Sequence, residues 1–97
     1  MSDVLRVGVV GCGRHCRGHL APAVSRIASA NLAACADADI GAAQRMANEL
    51  GIEATYERAE ELIGSGDVDA VIVAVPHRHL KEVALSAIEA GKHVFIE

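Results

Sequence analysis

Short apolar runs alternate with amphipathic segments along the whole chain. The runs are strand-sized, are rich in β-branched residues or alanine, and cover residues 4–10, 32–36, 52–56, 68–75 and 94–96. The segments between them place apolar residues at helical spacing and cover residues 19–30, 40–50, 59–63 and 79–90. Short apolar strands that alternate with amphipathic helices predict an α/β fold, a doubly wound parallel sheet with helices on both faces.

Residues that begin or end helices support these boundaries. Asp39 stands directly before the second helical segment and is a natural N-cap, because its carboxylate accepts hydrogen bonds from free first-turn amides. Gly51 and Gly91 follow the second and fourth segments and fit helix ends, where a left-handed residue is usual. Pro22 is tolerated early in the first helix, since first-turn amides lack partners within the helix.

The length and charge of the chain restrict the class of protein. Ninety-seven residues make one small domain, and the last predicted strand reaches the end of the sequence, so we expect an N-terminal part of a longer protein. A net charge of −4 with one Tyr, one Phe and no Trp argues against a nucleic-acid partner. No run approaches the ~20 apolar residues of a membrane span. With three cysteines and no signal-peptide pattern, we expect a cytoplasmic protein without a disulfide framework.

The strongest chemical signal follows the first apolar run. Gly11 and Gly13 lie between a predicted strand and a predicted helix. In such a turn the first glycine allows the tight bend and the second lets the backbone approach a pyrophosphate, which the helix N-terminus then attracts. Cys16 replaces the third glycine of the usual pattern and is small enough for close helix–strand packing. The turn therefore favours a dinucleotide ligand.

An acidic residue, Asp37, follows the second apolar run. A carboxylate at that position accepts hydrogen bonds from the hydroxyls of an adenosine ribose and repels a 2′-phosphate, which favours NAD over NADP and leaves NADP as the second cofactor. The alternative is that Asp37 is a solvated loop acid and that Gly11 and Gly13 only form a turn. Asp39 is interpreted as a helix cap rather than a ligand.

Two thiols and two imidazoles crowd the same region and resemble a zinc set: Cys12, His15, Cys16 and His19. Structural zinc sites bring ligand pairs together from separate segments, which four residues around one turn do not do easily. We therefore expect no metal site and interpret Cys12, Cys16 and Cys35 as small apolar fillers. A reactive thiolate at Cys16, near a helix N-terminus, is the alternative.

A second polar cluster, residues 76–79, follows the fourth apolar run. In an open parallel sheet, ligands bind beyond the carboxyl ends of the strands, so this loop lies at the same edge as the glycine turn. His77 is a candidate for cofactor contact or proton transfer, and the equal alternative is a solvated basic loop. Arg78 is interpreted as solvated.

These features together resemble the N-terminal domain of the Gfo/Idh/MocA oxidoreductases, the glucose–fructose oxidoreductase and inositol dehydrogenase family. The resemblance covers the whole chain and is most specific over residues 82–97, EVALSAIEAGKHVFIE. In that family a Lys-Pro pair follows the final glutamate, and the lysine takes part in catalysis. The resemblance therefore implies no catalytic residue within residues 1–97, with the catalytic lysine and the C-terminal α/β domain outside them.

The resemblance also assigns cofactor contacts residue by residue. It implies that the pyrophosphate lies on Gly11, Gly13, Arg14 and His15, that Asp37 binds the adenosine ribose, that Val75, Pro76 and His77 form the loop along the cofactor, and that Glu97 is the glutamate of the Glu-Lys-Pro motif. His77 departs from the family, where asparagine is usual. The family's frequent histidine falls on Leu80, while His79 stands one position earlier.

The function implied by the resemblance is that of a Rossmann NAD(P)-binding domain, residues 1–97, of a dehydrogenase. The full-length enzyme would transfer a hydride between the nicotinamide cofactor and a hydroxyl-bearing carbon of a sugar, cyclitol or related polyol, and would be a homo-oligomer. The 97 residues alone would be inactive. The alternative is a non-catalytic dinucleotide-sensing or regulatory protein on the same fold. A nucleotide- or CoA-binding domain of similar topology is a third interpretation, because a fold does not fix a function.

Overall fold

A computed structural model describes residues 4–13 and 21–96. Strands and helices alternate through these residues as the apolar pattern predicts. The strands are β1 (Leu5–Val10), β2 (Ala30–Ala36), β3 (Ala54–Tyr56), β4 (Ala70–Val73) and β5 (His93–Ile96). The helices are α1 (Ala21–Ser25), α2 (Ile40–Leu50), α3 (Ala59–Ile63) and α4 (His77–Glu89).

The strands form one parallel sheet in the order β3-β2-β1-β4-β5. β1 is central. β2 and β3 lie on one side of it, and β4 and β5 lie on the other. The strand order thus reverses between β1 and β4, and in such sheets a ligand crevice lies beyond the carboxyl ends of the strands at this point. The predicted five-stranded parallel sheet is confirmed.

Two separate cores hold helices against opposite faces of the sheet. α1 and α2 cover one face, where Val9, Cys35 and Met46 are fully buried. α3 and α4 cover the other face, where Leu62 and Val71 are fully buried. Burial of apolar side chains on both faces of β1 and β4 explains why these strands read as continuous apolar runs rather than alternating ones.

The first helix ends earlier than the periodicity predicts. The periodicity extends it to residue 30, but it stops at Ser25, while its predicted start at residue 19 lies outside the described residues. Ile27, although at helical spacing, is about half exposed. Leu5 donates its N–H to the carbonyl of Ser29 (2.9 Å) and pairs with Ala30, so β2 already begins at Ala30. The pairing with β1 overrides the local helical pattern, and the expectation of a helix to residue 30 is wrong.

The segment after β4 also differs from the expectation. β4 ends at Val73 rather than at residue 75, and α4 begins at His77, two residues earlier than predicted. Pro76 is the N-cap with φ −55°, and its carbonyl accepts the N–H of His79 (2.9 Å). Because proline already holds a φ suited to the start of a helix, the residues expected in a loop form the first turn instead.

The predicted helix ends are confirmed. The carboxylate of Asp39 accepts the N–H of Gly41 (3.0 Å), which makes it the N-cap of α2. Gly51 ends α2 with φ +70°, and Gly91 follows α4 with φ +78°.

Within residues 4–13 and 21–96, no helix has the length and apolar character that a membrane crossing requires.

An ion pair closes the opposite, amino end of the sheet. Arg6 donates from Nη2 to Oδ1 of Asp69 (2.9 Å) and from Nε to Oδ2 (3.2 Å), and its backbone N–H also donates to Oδ2 (2.9 Å). These bonds from Arg6, with its positive charge, lower the pKa of the Asp69 carboxyl to about 2. The pair links β1 to the start of β4.

The Arg6–Asp69 pair predicts an acid-dependent loss of stability. Because the folded pKa of Asp69 is depressed, its contribution is complete above the unfolded value near 3.8 and is lost as the pH falls toward about 2. Urea unfolding of the wild type and Asp69→Asn from pH 6 to pH 2 should give midpoints that differ above pH 4 and converge below it. A difference that stays constant over this range would contradict the prediction.

Candidate functional site

A cleft of about 730 Å³ lies at the carboxyl edge of the sheet and is called the edge cleft below. The ends of β1, β2 and β4, the segment between β3 and α3, and one face of α4 form its walls. It is lined by Val10, Gly11, Gly13, Ala36, Asp37, Ala38, Glu57, Arg58, Ala59, Glu60, Ala74, Val75, Pro76, His79, Glu82, Val83 and Ser86. The cleft therefore contains the glycine turn, the acid after β2 and the segment after β4, as the sequence predicts.

Gly11 makes the turn after β1 against the end of β4. Its φ is +100°, and a Cβ at this position would lie 2.3 Å from the carbonyl oxygen of Ala74. Its N–H donates to the carbonyl of Ala36 (2.9 Å), which continues the pairing of β1 with β2 by one residue. Both the left-handed backbone and the closeness of Ala74 require glycine here.

Gly13 differs from Gly11, because it leaves open space. It is exposed, it lines the edge cleft, and a Cβ at this position would meet no atom of the described residues within 4 Å. The absence of a side chain therefore exposes the backbone of the turn to a ligand rather than serving the packing of the protein. This property is the one that close approach of a pyrophosphate needs.

Asp37 connects the glycine turn to the end of β2. Its Oδ2 accepts the N–H of Cys12 (2.8 Å), its Oδ1 accepts the N–H of Asp39 (2.9 Å), and its own N–H donates to the carbonyl of Tyr56 (3.2 Å). Each carboxylate oxygen has two lone pairs and so retains capacity to accept a further hydrogen bond. Asp37 therefore positions the turn and also offers acceptors to the edge cleft.

The two described cysteines are packing residues. Cys12 and Cys35 are both buried, and their thiols donate to the carbonyls of Ala36 (3.4 Å) and Ala43 (3.3 Å) respectively. Hydrogen bonding with the neighbouring Cys12 side chain lowers the pKa of the Cys35 thiol, against the opposing effects of burial and the charge of Asp37. The interpretation of Cys12 and Cys35 as small apolar fillers is confirmed, and Cys16 lies outside the described residues.

A match to a family model assigns the chain to a family. The model described as "Oxidoreductase family, NAD-binding Rossmann fold", Gfo/Idh/MocA, matches residues 5–97. This chain belongs to the Gfo/Idh/MocA family. The resemblance inferred from the glycine turn, Asp37 and residues 82–97 is thereby confirmed, and so is an NAD-binding Rossmann fold.

Relatives of this Gfo/Idh/MocA chain include cyclitol dehydrogenases. It is 38% identical over 94 residues to "Inositol 2-dehydrogenase 1" of Saccharopolyspora erythraea, an alignment that covers 96% of this chain and 28% of that protein. The scyllo-inositol dehydrogenase of Lactobacillus casei, solved with NAD(H) and scyllo-inositol, superposes with a TM-score of 0.88 at 30% identity and covers 97% of this chain and 28% of that one. The chain thus spans less than a third of the length of these relatives.

A further structural neighbour holds the other nicotinamide cofactor. The 3-ketoreductase KijD10 of Actinomadura kijaniata, solved with TDP-benzene and NADP, superposes with a TM-score of 0.90 at 32% identity. The match covers 97% of this chain and 29% of that one. Structural neighbours of this chain have therefore been solved with either cofactor, and cofactor preference has to be argued from individual side chains.

The structure brings together most, though not all, of the Gfo/Idh/MocA site residues predicted from sequence. Gly11, Gly13, Asp37, Val75 and Pro76 line the edge cleft. Three further candidates, Arg14, His15 and Glu97, lie outside the described residues, and their roles stay predictions. Of the residues that are described, no group of three or more His, Cys, Asp or Glu side chains is arranged to hold a metal ion.

The histidine in the cleft wall is not the one that the loop motif indicates. His77 is exposed in the first turn of α4 and is not among the residues that line the edge cleft, whereas His79 is. The Nε2 of His79 accepts a hydrogen bond from Nε of Arg78 (3.2 Å). A cofactor role for His77 stays a prediction, and His79 becomes a second candidate at the same edge.

Two parts of the cleft wall are not predicted as site residues by the sequence motifs. One is a face of α4 formed by His79, Glu82, Val83 and Ser86, whose spacing of three, four and seven residues is that of one helical stripe. That stripe is visible in the sequence. The other part comprises residues 57–60, the link after β3 and the first two residues of α3. No local motif indicates these residues, because the pairing of β3 with β2 brings them to the cleft.

Proposed function

We propose that the edge cleft binds NAD(H) and that this chain is the dinucleotide-binding domain of a Gfo/Idh/MocA dehydrogenase. The observation that carries the proposal is the bond from the N–H of Cys12 to Asp37, 2.8 Å long. This bond holds together the carboxylate that is proposed to bind the ribose and the turn that is proposed to bind the pyrophosphate. Both face the same cleft, whose volume of about 730 Å³ lies in the range of small-molecule and cofactor sites.

The residues present fit the cofactor. The open space at Gly13 admits the pyrophosphate, with Arg14 and His15 as its further proposed contacts. The Asp37 carboxylate accepts the hydroxyls of the adenosine ribose, while Val75 and Pro76 flank the path toward the nicotinamide. When bound, NAD supplies the hydride chemistry, and the described residues hold and orient it.

The proposed preference for NAD rests on charge. A 2′-phosphate would place a dianion beside the Asp37 carboxylate, and like charges on neighbouring groups repel each other. A ribose hydroxyl instead gains a hydrogen bond to a charged acceptor, which is stronger than a neutral one. The same carboxylate thus favours one cofactor and disfavours the other.

The substrate and the reaction are proposed for the whole protein. The chain spans 28% of the inositol 2-dehydrogenase of Saccharopolyspora erythraea, so substrate contacts lie mainly outside residues 1–97. The names of the relatives support a cyclitol or a related polyol, oxidised at a hydroxyl-bearing carbon with hydride transfer to the nicotinamide. We further propose a lysine directly after Glu97 as the catalytic residue, a homo-oligomeric enzyme and a cytoplasmic location.

A fluorescence titration with NADH tests cofactor binding, and Gly13→Val is the most selective variant. A Cβ at Gly13 meets no atom of residues 4–13 and 21–96 within 4 Å, so the valine side chain fills the space in front of the turn and folding should be retained. Loss of one or two hydrogen bonds to the charged pyrophosphate should weaken NADH by about tenfold or more. Asn48→Val adds a valine on the exposed side of α2, away from the cleft, and should bind NADH like the wild type.

Two results would contradict the proposal. If the folded wild type binds neither NADH nor NADPH, the edge cleft is not a dinucleotide site. If Gly13→Val and Asn48→Val bind NADH equally, the cofactor lies elsewhere. For the reaction, reduction of NAD⁺ by the full-length protein with myo- or scyllo-inositol is the expected result, and NADH binding without turnover of any polyol would favour a sensor.

A further inference from the structure

Strand pairing brings Arg58 to the same edge of the sheet as the proposed ribose site. β3 runs parallel to β2 with Tyr56 opposite Ala36, and the carbonyl of Tyr56 accepts the N–H of Asp37 (3.2 Å). Arg58 follows Tyr56 by two residues and is the N-cap of α3, so it stands beyond the end of β3, at the same edge of the sheet where Asp37 follows β2. Both Arg58 and Asp37 line the edge cleft. A ligand that contacts Asp37 therefore lies in a cleft that the Arg58 side chain also lines.

The Arg58 guanidinium is available to a ligand. Among the described residues that line the edge cleft, it is the one Lys or Arg side chain. Its side chain is 72% exposed, and it makes a long ion-pair contact from Nε to Oε1 of Glu60 (3.7 Å). An exposed pair at this distance contributes little, so Arg58 is free to turn toward an anion. A guanidinium binds phosphate through paired N–H donors, whereas it gains far less from a hydroxyl.

We propose that Arg58 is a cofactor-specificity residue that binds the 2′-phosphate of NADP(H), in opposition to Asp37. This inference rests on the proposed function, because it assigns the adenosine ribose to the Asp37 end of the cleft. The NAD preference is then a difference between two effects: repulsion by Asp37 and attraction by Arg58. Glu57 and Glu60 flank Arg58 and reduce its attraction, which keeps the balance on the side of NAD.

A double-mutant cycle separates the two effects. Dissociation constants for NADH and NADPH are measured for the wild type, Arg58→Ala, Asp37→Ser and the double variant. Arg58→Ala should weaken NADPH by about fivefold to tenfold and NADH by less than about twofold, the scale of one charged contact at a solvent-exposed site. Asp37→Ser should shift the ratio of the two constants toward NADPH. The double variant should lose most of that shift.

The control and a second readout exclude a merely structural effect of Arg58. Arg26→Ala removes the same charge from an exposed turn that does not line the cleft, and it should leave both constants unchanged. Raising the salt concentration from about 50 to about 300 mM should weaken NADPH more in the wild type than in Arg58→Ala, because the phosphate contact is screened. Binding of 2′,5′-ADP should follow NADPH, and binding of 5′-AMP should follow NADH.

The outcomes distinguish this inference from the proposed function. If the protein binds NADH but Arg58→Ala leaves the ratio of the NADPH and NADH dissociation constants unchanged, the proposed role of Arg58 is wrong. The dinucleotide site itself is then retained. An equal loss of both cofactors in Arg58→Ala also overturns it, since Arg58 would then contact the shared part of the molecule or support the fold. If the folded wild type binds neither cofactor nor the two adenosine phosphates, both proposals fail.

Discussion

Replacement of Asp37 by alanine should reduce the affinity for NADH by at least about a hundredfold. Two ribose hydroxyls that donate to a carboxylate contribute roughly 1.5 kcal/mol or more each, and their loss of ~3 kcal/mol corresponds to this factor. The variant also leaves the N–H groups of Cys12 and Asp39 without the acceptor that they have in the wild type. Because Cys12 is buried, its unpaired amide should cost about 1–3 kcal/mol of folding free energy.

Two matched variants show whether the effect belongs to Asp37 itself. Asp37→Asn keeps one acceptor oxygen but not the charge, so it should retain part of the stability and bind NADH with intermediate affinity. Glu57→Ala removes an acid from the same cleft and so tests whether loss of negative charge alone weakens NADH binding. It should change NADH binding little. Titration by fluorescence and urea unfolding measure the two effects. Equal NADH affinity of the wild type and Asp37→Ala would refute the proposed ribose contact.

Gly11→Ala should be the most destabilising single change at the turn. Its Cβ would lie 2.3 Å from the carbonyl oxygen of Ala74, and its φ of +100° is strained for any residue with a side chain. The neighbour is backbone rather than the end of a flexible side chain, so either the turn or the end of β4 must shift. A combined cost of about 2–4 kcal/mol follows from such strain, and it should lower the melting temperature by roughly 10 °C or more.

Gly13→Ala provides the control for Gly11→Ala. The two glycines are separated by one residue in the same turn, but a Cβ at Gly13 meets nothing within 4 Å in the part of the chain that the structure describes. Gly13→Ala should therefore melt within about 2 °C of the wild type, since surface substitutions without such contacts are nearly neutral. Similar melting temperatures for Gly11→Ala and Gly13→Ala would show that the turn is not held against Ala74. Scanning calorimetry of both variants measures this difference.

The local chemistry of the site could be read from the sequence. The pattern consists of a strand-sized apolar run, then Gly11 and Gly13, and then a second apolar run followed by Asp37. Each of these residue types has a physical reason to stand at its position. The glycines allow a backbone that side chains forbid, and the acid stands at the end of a parallel strand. In the structure Asp37 lies at that strand end and accepts the N–H of Cys12 from the turn.

The far wall of the cleft could not be read in the same way. Arg58 appears in the sequence as one charge among several in a polar stretch, and nothing near it indicates a ligand. It reaches the cleft only because β3 pairs with β2 in the register that sets Tyr56 opposite Ala36. Register between strands depends on contacts that are distant in the chain, and a helical or alternating pattern carries no information about it.

The sequence by itself determined the alternation of strands and helices, the places where most of them stop, and the glycine turn with its acid. These features depend on side-chain periodicity and on backbone freedom, which are properties of neighbouring residues. The tertiary structure alone decided that α1 ends at Ser25, that His79 rather than His77 lines the cleft, and that Arg58 and Asp37 line the same cleft. Each of these outcomes follows from pairing or packing between distant segments, whose free energy outweighs local preference.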